Sequence, residues 1–225
     1  MLEAKKNRWF EKCFAIYNRN LLKRRFHSLK ISGLSFLEGK ASGVPLIIYA
    51  NHSSWWDGLV FLEILRRFDF ENYVMMEEKQ LRKLFLFRQL GAFSVVREKP
   101  REAVKSINYA ADLLKKNANR TLLIFPQAKI LPNDVRPIRF FNGLARIVEK
   151  VETIYAIPAA LRYEFIGNYK PEIFVKISEP EFIKKDVGFQ SKTLIVDFEK
   201  RLSETLDALK REINLSQTEN YFQLF

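Results

Sequence analysis

The stretch VPLIIYANHSSWWDGLVFLEILRRF, residues 44–68, decides the fold. Residues 44–50 form a short apolar run with a β-branched bias, the composition of a buried strand. Residues 58–68 carry apolar side chains at helical spacing. Between them lies NHSSWWD, residues 51–57, a polar turn with two tryptophans. A buried strand feeding a helix through such a turn is the opening unit of an α/β sheet. In open α/β sheets, sites lie in the crevice outside the carboxyl ends of the strands. NHSSWWD therefore stands where a site is expected, and FPQAKILPND, which follows the strand at 120–125, stands in an equivalent place.

The same alternation continues along the chain. Strands are predicted at 72–76, 92–96, 120–125, 153–165 and 171–178. Pro100 suits the first position of a helix running to about residue 117, and further helices are predicted at 140–151 and 191–214. The predicted fold is a single α/β domain with a central mixed, largely parallel sheet flanked by helices, preceded by an N-terminal amphipathic helical segment. The expected divisions are a basic segment at 1–38, the domain at 39–215 and a loose tail at 216–225.

Composition narrows the functional classes. The chain has 225 residues, 48% of them hydrophobic, which is enough for a full core and excludes extensive disorder. Its net charge of +12 calls for an acidic partner: nucleic acid, an anionic membrane surface or an acidic substrate. The single cysteine, Cys13, permits no internal disulfide and suits a reducing compartment. No apolar run reaches the roughly 20 residues that span a bilayer, and no apolar leader opens the chain. The expected location is the cytoplasmic side of the cell membrane, peripheral or monotopic.

The charge is concentrated. Residues 1–30 hold nine basic side chains against Glu3 and Glu11, interleaved with Trp9, Phe10, Phe14, Tyr17 and Leu21. Aromatics beside basic flanks describe a helix lying in a lipid interface, or a helix packed on the domain with a solvated basic face. KQLRKLFLFRQLGAF, residues 79–93, repeats the recipe. The large aliphatics in both stretches, and the lack of any helix-turn-helix or zinc signature, argue against nucleic acid as the partner.

In the turn, His52 and Asp57 form the candidate catalytic pair. Histidine exchanges a proton near neutral pH, and a carboxylate on its second ring nitrogen fixes the tautomer that a general base needs. Five residues span about 140° of a regular helix, so the two meet only if His52 lies in the turn and Asp57 in the first helical turn. Ser53 or Ser54 is then the expected cap, and the helix N-terminus offers N–H groups to an oxyanion. The alternative is a hydrogen-bonded turn histidine with an acid answering the helix dipole.

NHSSWWD resembles the N-H-x4-D motif of the glycerolipid acyltransferases, the lysophosphatidic acid acyltransferase group. GAFSVVR (91–97) resembles the family's second block, FPQAK (125–129) stands at its F-P-E-G-T-R block, and AIPAAL (156–161) resembles its fourth. The resemblance covers about residues 45–162. It implies a glycerol-3-phosphate-acyltransferase-like fold and acyl transfer from an acyl-CoA or acyl carrier protein thioester to a lipid hydroxyl, with no bound cofactor or metal. It implies His52 as base, Asp57 as its orienter and Arg97 as a phosphate contact, with Asn51, Pro126 and Gln127 in the acceptor site. Trp55, Trp56 and Phe125 are expected around the pocket. The third block departs from the pattern: Gln127 replaces glutamate, Ala128 glycine, Lys129 threonine and Ile130 arginine. Lys129, Arg136 and Arg139 are the candidate replacements for the lost arginine. The expected partners are an anionic membrane surface, a lysolipid or other lipid alcohol and acyl carrier protein, and not nucleic acid. A glycolipid or glycosylated terpenoid acceptor, or a membrane-bound pseudoenzyme, are the alternatives that the altered block raises. A hydrolase has no G-x-S-x-G elbow to support it.

Overall fold

The structure, a computed structural model, describes residues 1–38, 43–185 and 191–225. In chain order its elements are α1 (Arg8–Arg25), β1 (Leu29–Ser32), α2 (Ser35–Glu38), β2 (Leu46–Ala50), α3 (Asp57–Leu65), β3 (Glu71–Glu77), α4 (Glu78–Lys83), a 3₁₀ segment (Phe85–Leu90), β4 (Ala92–Val95), α5 (Pro100–Lys116) and β5 (Arg120–Ile124). They continue with α6 (Gly143–Val151), β6 (Thr153–Glu164), β7 (Glu172–Ile177), β8 (Glu181–Lys184), α7 (Ser191–Asn214) and β9 (Phe222–Gln223).

The strands make one sheet in the order β4-β3-β5-β2-β6-β7-β1-β9, with β8 paired beside β7 on the long β6. The run from β4 to β6 is parallel, β7 turns antiparallel to β6, and β1 lies parallel to β7. β2 sits in the middle and every residue of it is buried, as a strand covered on both faces must be. Its side chains alternate: Ile47 and Tyr49 enter the core under α5, α6 and α7, while Leu46, Ile48 and Ala50 enter the core under α1 and α3.

Several expectations change. β1 lies within the segment 1–38 and is an internal strand between β7 and β9, so that segment is part of the domain. The expected boundary at residue 39 lies outside the described residues. The tail is not loose: β9 pairs with β1, Leu224 is buried, and its N–H bonds Leu29 C=O at 2.8 Å. α6 begins at Gly143 rather than 140, because the Phe140 N–H bonds the Glu199 carboxylate at 2.7 Å and the Phe141 N–H bonds Pro126 C=O at 3.0 Å. Residues 79–93 divide between burial and exposure: Leu81 and Phe93 are buried, Phe85 and Leu86 are exposed.

Several bonds hold the N-terminal region, at residues 1–7 and again along α1. Leu2 exchanges bonds with Ser94 of β4, its N–H to Ser94 Oγ at 2.6 Å and its C=O from the Ser94 N–H at 2.8 Å. Further on, Asn18 of α1 donates to Leu59 C=O of α3 at 3.0 Å. Gly91 ends the 3₁₀ segment at φ +95°, where a Cβ would lie 2.3 Å from Asn72 O, so only glycine passes β3 there.

Removing residues 222–225 is expected to cost about 2 kcal/mol, chiefly the burial of Leu224. Tm should fall by about 4–8 °C in calorimetry at this chain length. An unchanged Tm would show that β9 contributes nothing.

Candidate active site

β2 delivers the turn to the carboxyl end of the sheet, and Asn51 fixes it there. Its ladder with β6 ends at Ala50 and Ala159. Asn51 then bridges to Leu161 like one more backbone pair, accepting from Leu161 N–H at 2.8 Å and donating to Leu161 C=O at 3.0 Å. Its amide also donates to Asn133 Oδ1 at 2.7 Å. Asn51 is buried and fully engaged, so it belongs to the frame and not to an acceptor site.

His52 is held by four contacts. Its N–H donates to Gln127 Oε1 at 2.9 Å, and its C=O accepts from Leu131 N–H at 2.8 Å. Its ring stacks on Phe125 with centroids 4.5 Å apart. Nδ1 lies 2.7 Å from Asp57 Oδ2. Asp57 has no solvent exposure and gathers four donors. Oδ2 takes the N–H groups of Ser53 and Ser54 at 2.7 and 2.9 Å as well as His52, and Oδ1 takes the Tyr163 hydroxyl at 2.6 Å. A fully bonded buried carboxylate holds the proton of Nδ1, which leaves Nε2 with its lone pair. Burial, and then the neighbouring Asp57 charge, push the Tyr163 phenol far above its ordinary range, so it remains a donor at any working pH.

The expected serine cap is absent. Trp56 occupies the N-cap of α3 with no side-chain cap bond. Asp57 reaches backward instead and satisfies two N–H groups of the turn, those of Ser53 and Ser54.

His52 opens onto a cavity of about 710 Å³ between β3, β4, α3 and the β5–α6 connection. Its wall is apolar at Leu59, Val74, Phe87 and Ile107. Trp55, Phe125, Pro126, Arg97 and Lys129 also line it. Trp56 turns away onto Phe26, with ring centroids 5.2 Å apart. Gln127 is buried under His52, and Arg136 and Arg139 pair with Asp207 and Glu199 of α7, away from the cavity. With Asn51, four expected acceptor contacts are thus structural or remote.

Arg146 of α6 lines the same cavity as Arg97 and Lys129, and it was not foreseen. Arg97 lies 3.8 Å from Glu77 and over the Phe141 ring at 5.6 Å, while Lys129 and Arg146 make no ion pair among the described residues. Tyr163 was also missed. It stands 106 residues from Asp57, and no local spacing marks it.

Residues 28–162 match the family model described as Acyltransferase, and the chain belongs to that family. It is an acyltransferase with the glycerolipid-acyltransferase fold. The crystal structure of the 1-acyl-sn-glycerophosphate (LPA) acyltransferase PlsC from Thermotoga maritima superposes with a TM-score of 0.66 at 19% identity, over 89% of this chain and 79% of that one. No curated protein matches the sequence.

Ala128, at the family's glycine position, has φ +57°, a left-handed conformation costly for any residue with a Cβ. Ala128→Gly is expected to stabilise the protein by about 0.5–1 kcal/mol, the strain relieved exceeding the entropy that glycine adds to the unfolded chain. Denaturant unfolding checks it; a lower midpoint at unchanged slope would refute the strain.

Proposed function

We propose that this protein transfers a fatty acyl group from an acyl-CoA or acyl carrier protein thioester to the hydroxyl of a lysophospholipid-type acceptor. The observation that carries this reading is the His52–Asp57 pair, bonded at 2.7 Å, at an apolar cavity lined by three cations. His52 Nε2 takes the proton of the acceptor hydroxyl as its oxygen attacks the thioester carbonyl carbon. Asp57 steadies the imidazolium, and Tyr163 steadies Asp57. The tetrahedral intermediate collapses, the C–S bond breaks, and the imidazolium returns its proton to the leaving thiolate. The products are an ester and a free thiol, with no covalent enzyme intermediate. Gly58 lines the cavity in the first turn of α3, and in this reading the positive end of that helix supports the oxyanion of the reacting carbonyl.

The acceptor carries a phosphate in this reading. Arg97, Lys129 and Arg146 outnumber the single acid of the wall, Glu77, and arginine forks suit phosphate oxygens. Arg146 takes over from the arginine that Ile130 displaced. The protein works at the cytoplasmic face of the cell membrane, with α1 in the lipid interface. Trp9, Ile16 and Tyr17 of α1 are exposed, and Lys12, Lys23 and Arg24 flank them.

His52→Ala should lower turnover by about 10²–10⁴-fold, the usual worth of a general base, in a thioester assay read by mass spectrometry. Undiminished activity would remove His52 from the chemistry. Arg97→Ala and Arg146→Ala should each raise KM for lysophosphatidic acid about tenfold, from loss of a charged hydrogen bond, with little change in kcat. Acylation of a glycolipid acceptor in preference to lysophosphatidic acid would instead select the phosphate-free alternative.

Membrane binding is best tested in the full chain, since residues 2–7 and β1 are tied into the domain. The triple variant Trp9→Ser, Ile16→Ser, Tyr17→Ser should keep its Tm and float less with anionic vesicles. Undiminished flotation would exclude α1 as an anchor.

A further inference from the structure

The turn between β6 and β7, residues 165–171, reads FIGNYKP. Hairpin tips are ordinarily built from polar residues and glycine. Here Phe165 is 72% exposed, Ile166 45% and Tyr169 86%, with Lys170 beside them. Gly167 makes the turn at φ +69° and Asn168 closes it by donating to Ile166 C=O at 3.2 Å, so the three apolar side chains are presented by an ordered loop. Lys170 Nζ lies over the Tyr169 ring, 5.6 Å from its centroid, and the three side chains remain largely open to solvent.

The tip lies at the reactive end of the sheet. β6 runs parallel to β2, and its last residues hold Asn51 through Leu161 and Asp57 through Tyr163. Phe165 follows Tyr163 by two residues. The base of the hairpin is tied to the end of α1, where His27 N–H bonds Pro171 C=O at 2.9 Å. The last turn of α1 there is basic, with Lys23, Arg24 and Arg25. Phe26 packs on both Tyr163 and Trp56, and Trp56 on Trp55 at the cavity wall.

We infer that this hairpin tip is a second membrane-insertion element, separate from α1, which seats Phe165, Ile166 and Tyr169 in the headgroup boundary of an anionic bilayer. The inference rests on the reading of the acceptor as a lipid. Exposed aromatics on an ordered turn, flanked by cations, match the chemistry of that boundary: apolar rings enter it and basic side chains meet anionic headgroups. A protein partner is the competing occupant, but the acids that flank the tip, Glu164 and Glu172, are paired with Arg162 and Lys30, the last turn of α1 beside it is basic, and the apolar residues form a projecting tip and not a groove. With α1 as one support and the tip as another, the Trp55 side of the cavity faces lipid, and an acceptor reaches His52 without crossing water.

The experiment places an environment-sensitive NBD fluorophore at residue 169, in full-length protein carrying Cys13→Ser and Tyr169→Cys. A second sample carries the fluorophore on native Cys13, which is exposed on α1. Equimolar phosphatidylcholine–phosphatidylglycerol vesicles are then added. Insertion predicts a blue shift, a several-fold rise in emission and protection from aqueous iodide at residue 169. A response at Cys13 with none at 169 overturns the hairpin proposal and leaves membrane attachment through α1 intact. Silence at both positions overturns the hairpin proposal together with the membrane reading on which it rests. A shift at 169 that grows with protein concentration and needs no vesicles overturns it in favour of contact between protein copies. In unlabelled protein, Phe165→Ser with Tyr169→Ser should weaken vesicle partitioning about tenfold or more at unchanged Tm. Unchanged partitioning would also overturn the proposal.

Discussion

The Asp57 carboxylate is the interaction on which the rest of the site depends. It has no contact with solvent and four hydrogen-bond donors around it. Taking a carboxylate out of water is tolerable only when its oxygens are satisfied in this way. Each donor also fixes something else. Ser53 and Ser54 set the path of the turn, His52 is held in one tautomer, and Tyr163 joins β6 to α3. One buried charge thus converts a strand, a helix start and a remote strand into a single rigid unit. The centre of the sheet makes that possible, because β2, β5 and β6 leave the core side by side and their connections must share one crevice.

Much of this architecture is legible in the sequence. β2 and α3 declare themselves by a fully apolar run followed by a helical period, and α5 by Pro100 at its first position. β1 and β9 do not, because each is short and its pattern is set by partners far along the chain, β1 by β7 and β9 by β1. The turn at 51–57 is legible as a spacing, and the contact between His52 and Asp57 as a pair. The direction of capping is not: a sequence that offers two serines ahead of an aspartate suggests that the hydroxyls serve the helix, whereas the carboxylate serves the serine backbone.

The cations divide on similar grounds. Arg97 and Lys129 follow strand ends and reach the cavity, as residues at carboxyl ends do. Arg136 and Arg139 lie in the same connection, but α7 passes beside it with Asp207 and Glu199 and takes them up. Arg146 looks in sequence like one basic residue on an ordinary helix. Only the packing of α6 against the cavity distinguishes it, and such long-range packing has no local period to reveal it.

Gln127 carries a consequence of another kind. The family pattern places a glutamate there, and the amide that stands in its place still holds the backbone of His52 through Oε1 at 2.9 Å. An amide keeps this bond at every pH and brings no charge into a buried position. The turn that carries the imidazole therefore contacts one carboxylate, Asp57, and not two. Asp57 is the anion in direct contact with the ring, and acid cannot loosen the support beneath the ring by protonating the amide. The substitution that looks like a defect in the motif leaves the backbone of His52 held by a group that does not titrate.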